Sequence, residues 1–153
     1  MKNITKKPTQ AGFTLIEILI VIGIIAILAA IVLVAVNPAQ QFKKANDAQR
    51  ASNVNAVLNA VGQFSVDSKG SLPGTIPTTA ATAVDLSDAG LLCEDLLPDY
   101  IAALPSDPNK ADQSIDETDC GTANATGYKI YQTSGRVTIT AVGQITNPIT
   151  VTR

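Results

Sequence analysis

The sequence predicts an α+β chain in which a long N-terminal helix, half membrane-spanning and half amphipathic, packs on a small antiparallel sheet. Three observations carry this. From Phe13 to Val36 the only charged residue is Glu17. From Ala39 to Ser68 apolar residues recur every three or four positions. Near the C-terminus two alternating runs flank Ser134-Gly135.

The first run, if helical, is about 36 Å long, enough to cross a hydrocarbon core of about 30 Å. A core helix of a small soluble domain shows a polar stripe; this run is apolar all round and reads as a transmembrane helix. An acid inside such a span is costly and marks a functional position by default. Before the span lie Lys2, Lys6 and Lys7, with no acid, and then Ala11-Gly12. That bias places the N-terminus on the cytoplasmic side. In a secretory signal peptide the cleavable small residue follows the apolar region. Here Gly12 precedes it, so a cut there removes the basic leader and leaves the span attached.

The stretch Gly12-Phe13-Thr14-Leu15-Ile16-Glu17 resembles the class III signal of type IV pilins and pseudopilins. The resemblance implies a ladle-shaped subunit, cleaved by a prepilin peptidase after Gly12 and N-methylated on Phe13. It makes Glu17 the acid that sets register between subunits, by pairing with the amine of Phe13 on a neighbour. It also implies the partners: copies of the chain and related pilins, the peptidase, a membrane assembly platform with its ATPase, and the lipid bilayer before assembly. The protein is then a single-pass protein of the cytoplasmic membrane, N-terminus inside, and later part of an extracellular or periplasmic filament. The division that follows is leader 1–12, membrane and filament-core helix 13–37, amphipathic helix 38–70, and globular head 71–153. A pilus subunit is the first reading. A pseudopilin of a type II secretion or competence system, or a singly anchored binding module that never polymerises, are the alternatives.

Within the span, Ala26, Ala29, Ala30 and Ala35 permit close helix packing. Asn37-Pro38 predicts a kink at the membrane exit, because proline removes a backbone donor and disfavours helix at the residue before it. Beyond it, Phe42, Ala45, Ala48, Val54, Val57, Leu58, Val61 and Phe64 read as the apolar face of the second helical half. Lys43, Lys44, Asp47, Arg50 and Asn53 read as its polar side. Gly70 is the expected stop. Residues 71–82 read as a loop rich in proline and threonine. Asp85 to Leu104 reads as one or two short helical turns broken at Gly90 and Pro98. Asn109 to Thr126 reads as a polar loop. Tyr128–Thr133 and Arg136–Ala141 around Ser134-Gly135 form a hairpin signal. Ile145–Val151 is the expected third strand, at a sheet edge because of Pro148.

The chain has 153 residues, 11 basic and 13 acidic, with no His or Trp and only two Cys. Three of the basic residues lie in the leader and all the acids after it, leaving 8 against 13, a net −5. Such a body does not suit a general nucleic-acid surface. Without His, the common nucleophile–base pairs cannot be assembled, so no enzyme is expected. Cys93 and Cys120 fall in the part expected outside the cytoplasm, where disulfides persist. The expected arrangement is a bridge tying the acidic loop to the short helix before it, with two separate thiols as the other reading. Asp107, Asn109 and Asp112, near Asp116, Glu117 and Asp119, supply oxygen ligands of the kind calcium takes. A solvated acidic loop is the alternative, and no other cofactor is expected. Asn124-Ala125-Thr126 fits the glycosylation triplet, a pattern frequent by chance.

Overall fold

A computed structural model describes residues 12–88, 92–111, 114–123 and 125–153. One compact unit ends at Gln41 and the other runs Phe42–Arg153. Helix α1 covers Leu15–Val36 and α2 covers Pro38–Asp67. The expected kink between them is a full break. Asn37 takes the left-handed conformation (φ 43°, ψ 80°) that ends α1, and Pro38 opens α2. Asparagine tolerates that conformation better than most residues, and proline suits the first position of a helix. The backbone and side-chain oxygens of Asn37 accept from the N–H of Gln40. At the other end, Gly70 (φ 93°) donates to the carbonyl of Ser65 and closes α2.

The main sheet has four antiparallel strands. They are β1 (Val84–Asp85), β4 (Tyr128–Thr133), β5 (Arg136–Ala141) and β6 (Ile149–Thr152), in the order β1-β4-β5-β6. A smaller pair joins β2 (Leu104–Pro105) to β3 (Ser114–Ile115). The β4–β5 hairpin turns at Ser134 (φ 53°) and Gly135 (φ 76°), the two positive φ values that a tight two-residue connection requires. Helix α3 (Leu92–Leu96) is, among the described residues, the helix realised between Asp85 and Leu104. Gly90, an expected break, lies outside the described residues.

Three expectations change. Asp85 belongs to a strand, not to a helical turn: Val84 pairs with Ile130 and Asp85 with Lys129, giving the sheet a fourth strand. The segment 109–126 is not all loop, because Ile115 is buried and pairs with Leu104. The last strand begins after Pro148 rather than containing it, and it does lie at the sheet edge.

The core is Val54, Val57, Leu58 and Val61 of α2 against Tyr128 and Ile130 of β4 and Val137 and Ile139 of β5. Leu92 and Leu96 of α3 close it, and Phe64 stacks edge-on with Tyr100 at 5.4 Å. The larger correction concerns the near half of α2. Phe42, Ala45 and Ala48 are exposed, whereas Asp47, Arg50 and Asn53 are buried. Helix geometry explains it. Asp47 and Arg50 each lie seven residues before Val54 and Val57, almost on the same face, while Ala45 is about half a turn out of phase with Val54.

These buried polar groups are fully partnered. Arg50 reaches Asp107 through Nε (2.7 Å) and Nη2 (2.8 Å), and Asp47 through Nη1 (2.9 Å). Asp47 accepts the N–H groups of Gln144, Ile145 and Thr146 at 2.7–3.0 Å. Asn53 donates to the Ser106 carbonyl and the Tyr128 hydroxyl. A second knot is the buried Asp85, which accepts from the N–H and hydroxyl of both Ser87 and Thr126 and from the N–H of Gly127. Burial pushes the Asp47 carboxyl up, but the three N–H donors and then Arg50 outweigh it and hold it at about 2, below the usual 3.8.

A group with a depressed pKa contributes stability that is present above its unfolded value and lost as pH falls through its folded value. Chemical unfolding of the detergent-solubilised chain should therefore lose stability between about pH 4 and pH 2. Asp47→Asn should be less stable at neutral pH and should show a shallower loss in that window. Arg50→Ala, which strands two carboxylates, should cost about 3–5 kcal/mol by denaturant midpoint.

Candidate assembly signal and head sites

The first described residues are Gly12 and Phe13, both exposed, Phe13 at 80%. The leader lysines Lys2, Lys6 and Lys7 lie outside the described residues. Thr14 is the N-cap of α1. Its hydroxyl accepts from the Glu17 N–H at 3.2 Å, and the Glu17 carboxylate faces the Thr14 N–H at 3.5 Å. This is a capping box, which satisfies otherwise unpaired donors at a helix start, and a negative charge there is favourable to the helix dipole. The spacing Thr14-x-x-Glu17 ahead of an apolar run was the signal for it, unused in reading the sequence. Glu17 thus has a partner within its own chain.

No residue of α1 is buried, and its 22 residues are long and apolar enough to cross a membrane. An apolar surface this large and uncovered belongs against lipid or against other helices.

In the head, the Sγ atoms of Cys93 and Cys120 are bonded, with Cα atoms 5.6 Å apart. The bridge joins α3 to the end of the short 3-10 turn Glu117–Asp119, itself capped by Asp116 through the Thr118 N–H and hydroxyl. The acidic residues proposed for calcium are dispersed in their duties. Both Asp107 oxygens are engaged by Arg50, and Oδ1 also accepts the Asn109 N–H at 2.9 Å. Burial raises the Asp107 carboxyl, and Arg50 and that N–H lower it further, so the net direction is down. Asn109 is tied to Asp107 through its backbone, and Asp112 lies outside the described residues. Among the described residues no three His, Cys, Asp or Glu side chains gather as a metal would need. Asn124 also lies outside them, and the Thr126 hydroxyl is buried against Asp85.

With 27 positions separating the cysteines, losing the bridge should cost about 3 kcal/mol, read as a lower denaturation midpoint for Cys93→Ser/Cys120→Ser. Non-reducing peptide mapping should recover the linked peptides; two free thiols in protein purified without reductant would overturn the bridge.

Residues 7–33 match the family model of the prokaryotic N-terminal methylation motif. No curated protein and no solved structure matches the chain. The motif points to a structural protein rather than an enzyme, and motif and apolar helix together fit a membrane-anchored precursor. A methylation motif at residues 7–33 that runs through most of a long apolar helix, with a second helix and a small antiparallel sheet after it, supports a precursor of the type IV pilin-like or pseudopilin kind.

Proposed function

We propose that the protein is a structural subunit of a type IV pilus-like filament, processed by a prepilin peptidase between Gly12 and Phe13 and polymerised through α1. The observation that carries this reading is the methylation motif leading into a helix with no buried residue. In the precursor, α1 lies in the bilayer with the lysine-rich end inside and the head outside. In the filament, helices of other subunits replace the lipid. Both surroundings are apolar, so the free-energy change of that move is small and the direction of assembly depends on the few polar groups present.

Glu17 is the polar group that matters. Cleavage exposes the amine of Phe13, which is then methylated. A carboxylate in an apolar core needs a partner, and the amine of a neighbouring Phe13 supplies one with charge. That pairing fixes the axial offset between subunits. The platform and its ATPase supply the work of extraction. The head carries what the filament presents outside the cell.

Processing is tested by mass spectrometry of the exported protein. The expected N-terminus is Phe13, N-methylated; an intact Met1, or a cut beyond residue 30, would overturn it.

The register role is tested by Glu17→Val. Membrane insertion should be as good as in the parent or better, because an acid in a span is penalised on insertion scales. Cleavage should persist, since Gly12 and the leader are unchanged. Polymerisation should fail or become irregular, because the neighbour's amine is left unpaired at a cost of several kcal/mol, on the order of 3–5. Glu17→Asp should be intermediate, keeping the charge at shorter reach. Inserted, cleaved and polymerised fractions are compared for the three proteins, and normal polymerisation of Glu17→Val sinks the register role.

A further inference from the structure

The buried Asp47 does more than stabilise α2: it shapes a turn that shows apolar side chains to solvent. Its carboxylate holds three consecutive N–H groups, those of Gln144, Ile145 and Thr146. The turn is tight, since any side chain at Gly143 would collide with the Thr146 carbonyl oxygen. At its tip Val142 is 69% and Ile145 49% exposed. Phe42, 71% exposed, lies one helical turn before Asn46, whose side chain meets Gln144 at 3.5 Å. Between the helix and the turn runs a groove of about 300 Å³, lined by Lys44, Ala48, Ala51, Ile145, Thr146, Ile149 and Asp47, whose carboxylate is taken up by the turn's N–H groups and Arg50. The apolar side chains and two exposed lysines, Lys43 and Lys44, thus lie at the same end of the head, around the first turns of α2 and the turn bonded to Asp47.

We propose that this surface is an interfacial anchor that rests the head on anionic phospholipid at the outer face of the membrane while the subunit waits to assemble. The inference rests on the membrane-anchored reading of α1 and not on polymerisation. Two observations select lipid as the occupant. The first is reach. Phe42 is the fifth residue of a helix whose first residue is two positions from the end of α1. Helix rise and chain length place it at most about 13 Å along the chain from Val36. The interfacial layer beyond the hydrocarbon is itself about 5–8 Å deep. The second is charge. Lys43 and Lys44 stand exposed, whereas Asp47, the nearest acid in sequence, is buried with Arg50. An aromatic ring, aliphatic tips and lysines form the combination that interfacial surfaces use.

The chain contains no tryptophan, so one introduced at a chosen site reports its own depth. Phe42→Trp, Ile145→Trp, Val66→Trp and Leu28→Trp variants of the full chain are reconstituted at high dilution. The vesicles contain phosphatidylglycerol and bromine-labelled phosphatidylcholine, which quenches indole emission. Val66 is 74% exposed near the far end of α2, about 36 Å of helix from Phe42. Leu28→Trp should be quenched by the bilayer core. Phe42→Trp and Ile145→Trp should be quenched and Val66→Trp should not. Adding Lys43→Gln and Lys44→Gln to Ile145→Trp should restore emission in anionic vesicles, each lysine contributing about fivefold to the docked population. If Ile145→Trp is as bright as Val66→Trp while Leu28→Trp is quenched, the anchor is wrong and the membrane reading stands. If Ile145→Trp is shielded only when copies are crowded, a second copy covers the patch and the lipid assignment falls. If Leu28→Trp is bright as well, both readings fall together.

Discussion

The 22 residues of α1 fold into an apolar helix in which, among the described residues, none is buried. Every other feature is arranged around that constraint. An isolated apolar helix in water exposes far more greasy surface than a soluble monomer tolerates, so the chain needs lipid or other helices from the moment it is made. The methylation motif covers residues 7–33 and so runs through most of this helix, and on the proposed function its start is also the place where the chain is cut. The break at Asn37-Pro38 ends the segment sharply, after which the helix is built by other rules.

Those rules are visible in α2. A soluble helix is expected to bury aliphatic residues along its core-facing stripe, and from Val54 onwards it does. One turn earlier the same stripe carries Arg50 and Asp47 instead. Replacing such a network with apolar residues of similar volume is often neutral or stabilising, so what the network supplies here is defined geometry more than stability. Arg50 is a planar fork held bidentately by Asp107 and again by Asp47, which fixes it as a lysine could not. Through it, α2, the Ser106–Asp107 segment and the turn at 144–146 hold one another at defined distances. The Asp85 knot does the same on the other side, tying β1 to the turn that enters β4 next to the disulfide. Buried acids saturated with N–H donors thus add to the apolar core and the disulfide in fixing the loops of the head.

The parts legible in the sequence were those set by local rules. The α1 span follows from composition, and the β4–β5 hairpin from alternation around Ser134-Gly135 with its left-handed pair. The ends of α2 follow from Pro38 and Gly70. What escaped were features whose cause is tertiary. Two-residue strands such as β1 and β3 carry no periodicity and exist only because β4 and β2 lie beside them. Asp47, Arg50 and Asn53 were placed on the solvent side because charge was allowed to outvote phase. Counting back by sevens from Val54 and Val57 puts Asp47 and Arg50 on the buried stripe. Asp107 was offered as one oxygen ligand of a calcium-type loop, with a solvated acidic loop as the other reading, and its guanidinium partner 57 positions away was not foreseen.

Glu17 shows how one residue can serve two states. In the single chain its carboxylate closes a capping box with Thr14, an arrangement whose N-cap half is worth about 0.5–2 kcal/mol, at the positive end of the helix dipole. The acid is therefore not left bare in the membrane before assembly, and its cost there is lower than that of an unpartnered carboxylate mid-span. On the proposed assembly route, the methylated amine of a neighbouring Phe13 takes over part of that partnership. The bond to the Thr14 N–H is already charge-assisted because its acceptor is ionised, and an ammonium donor adds the attraction of a full opposite charge. On that route the acid also discriminates by offset, because a subunit displaced along the axis leaves the carboxylate with its own Thr14 and the incoming amine with nothing.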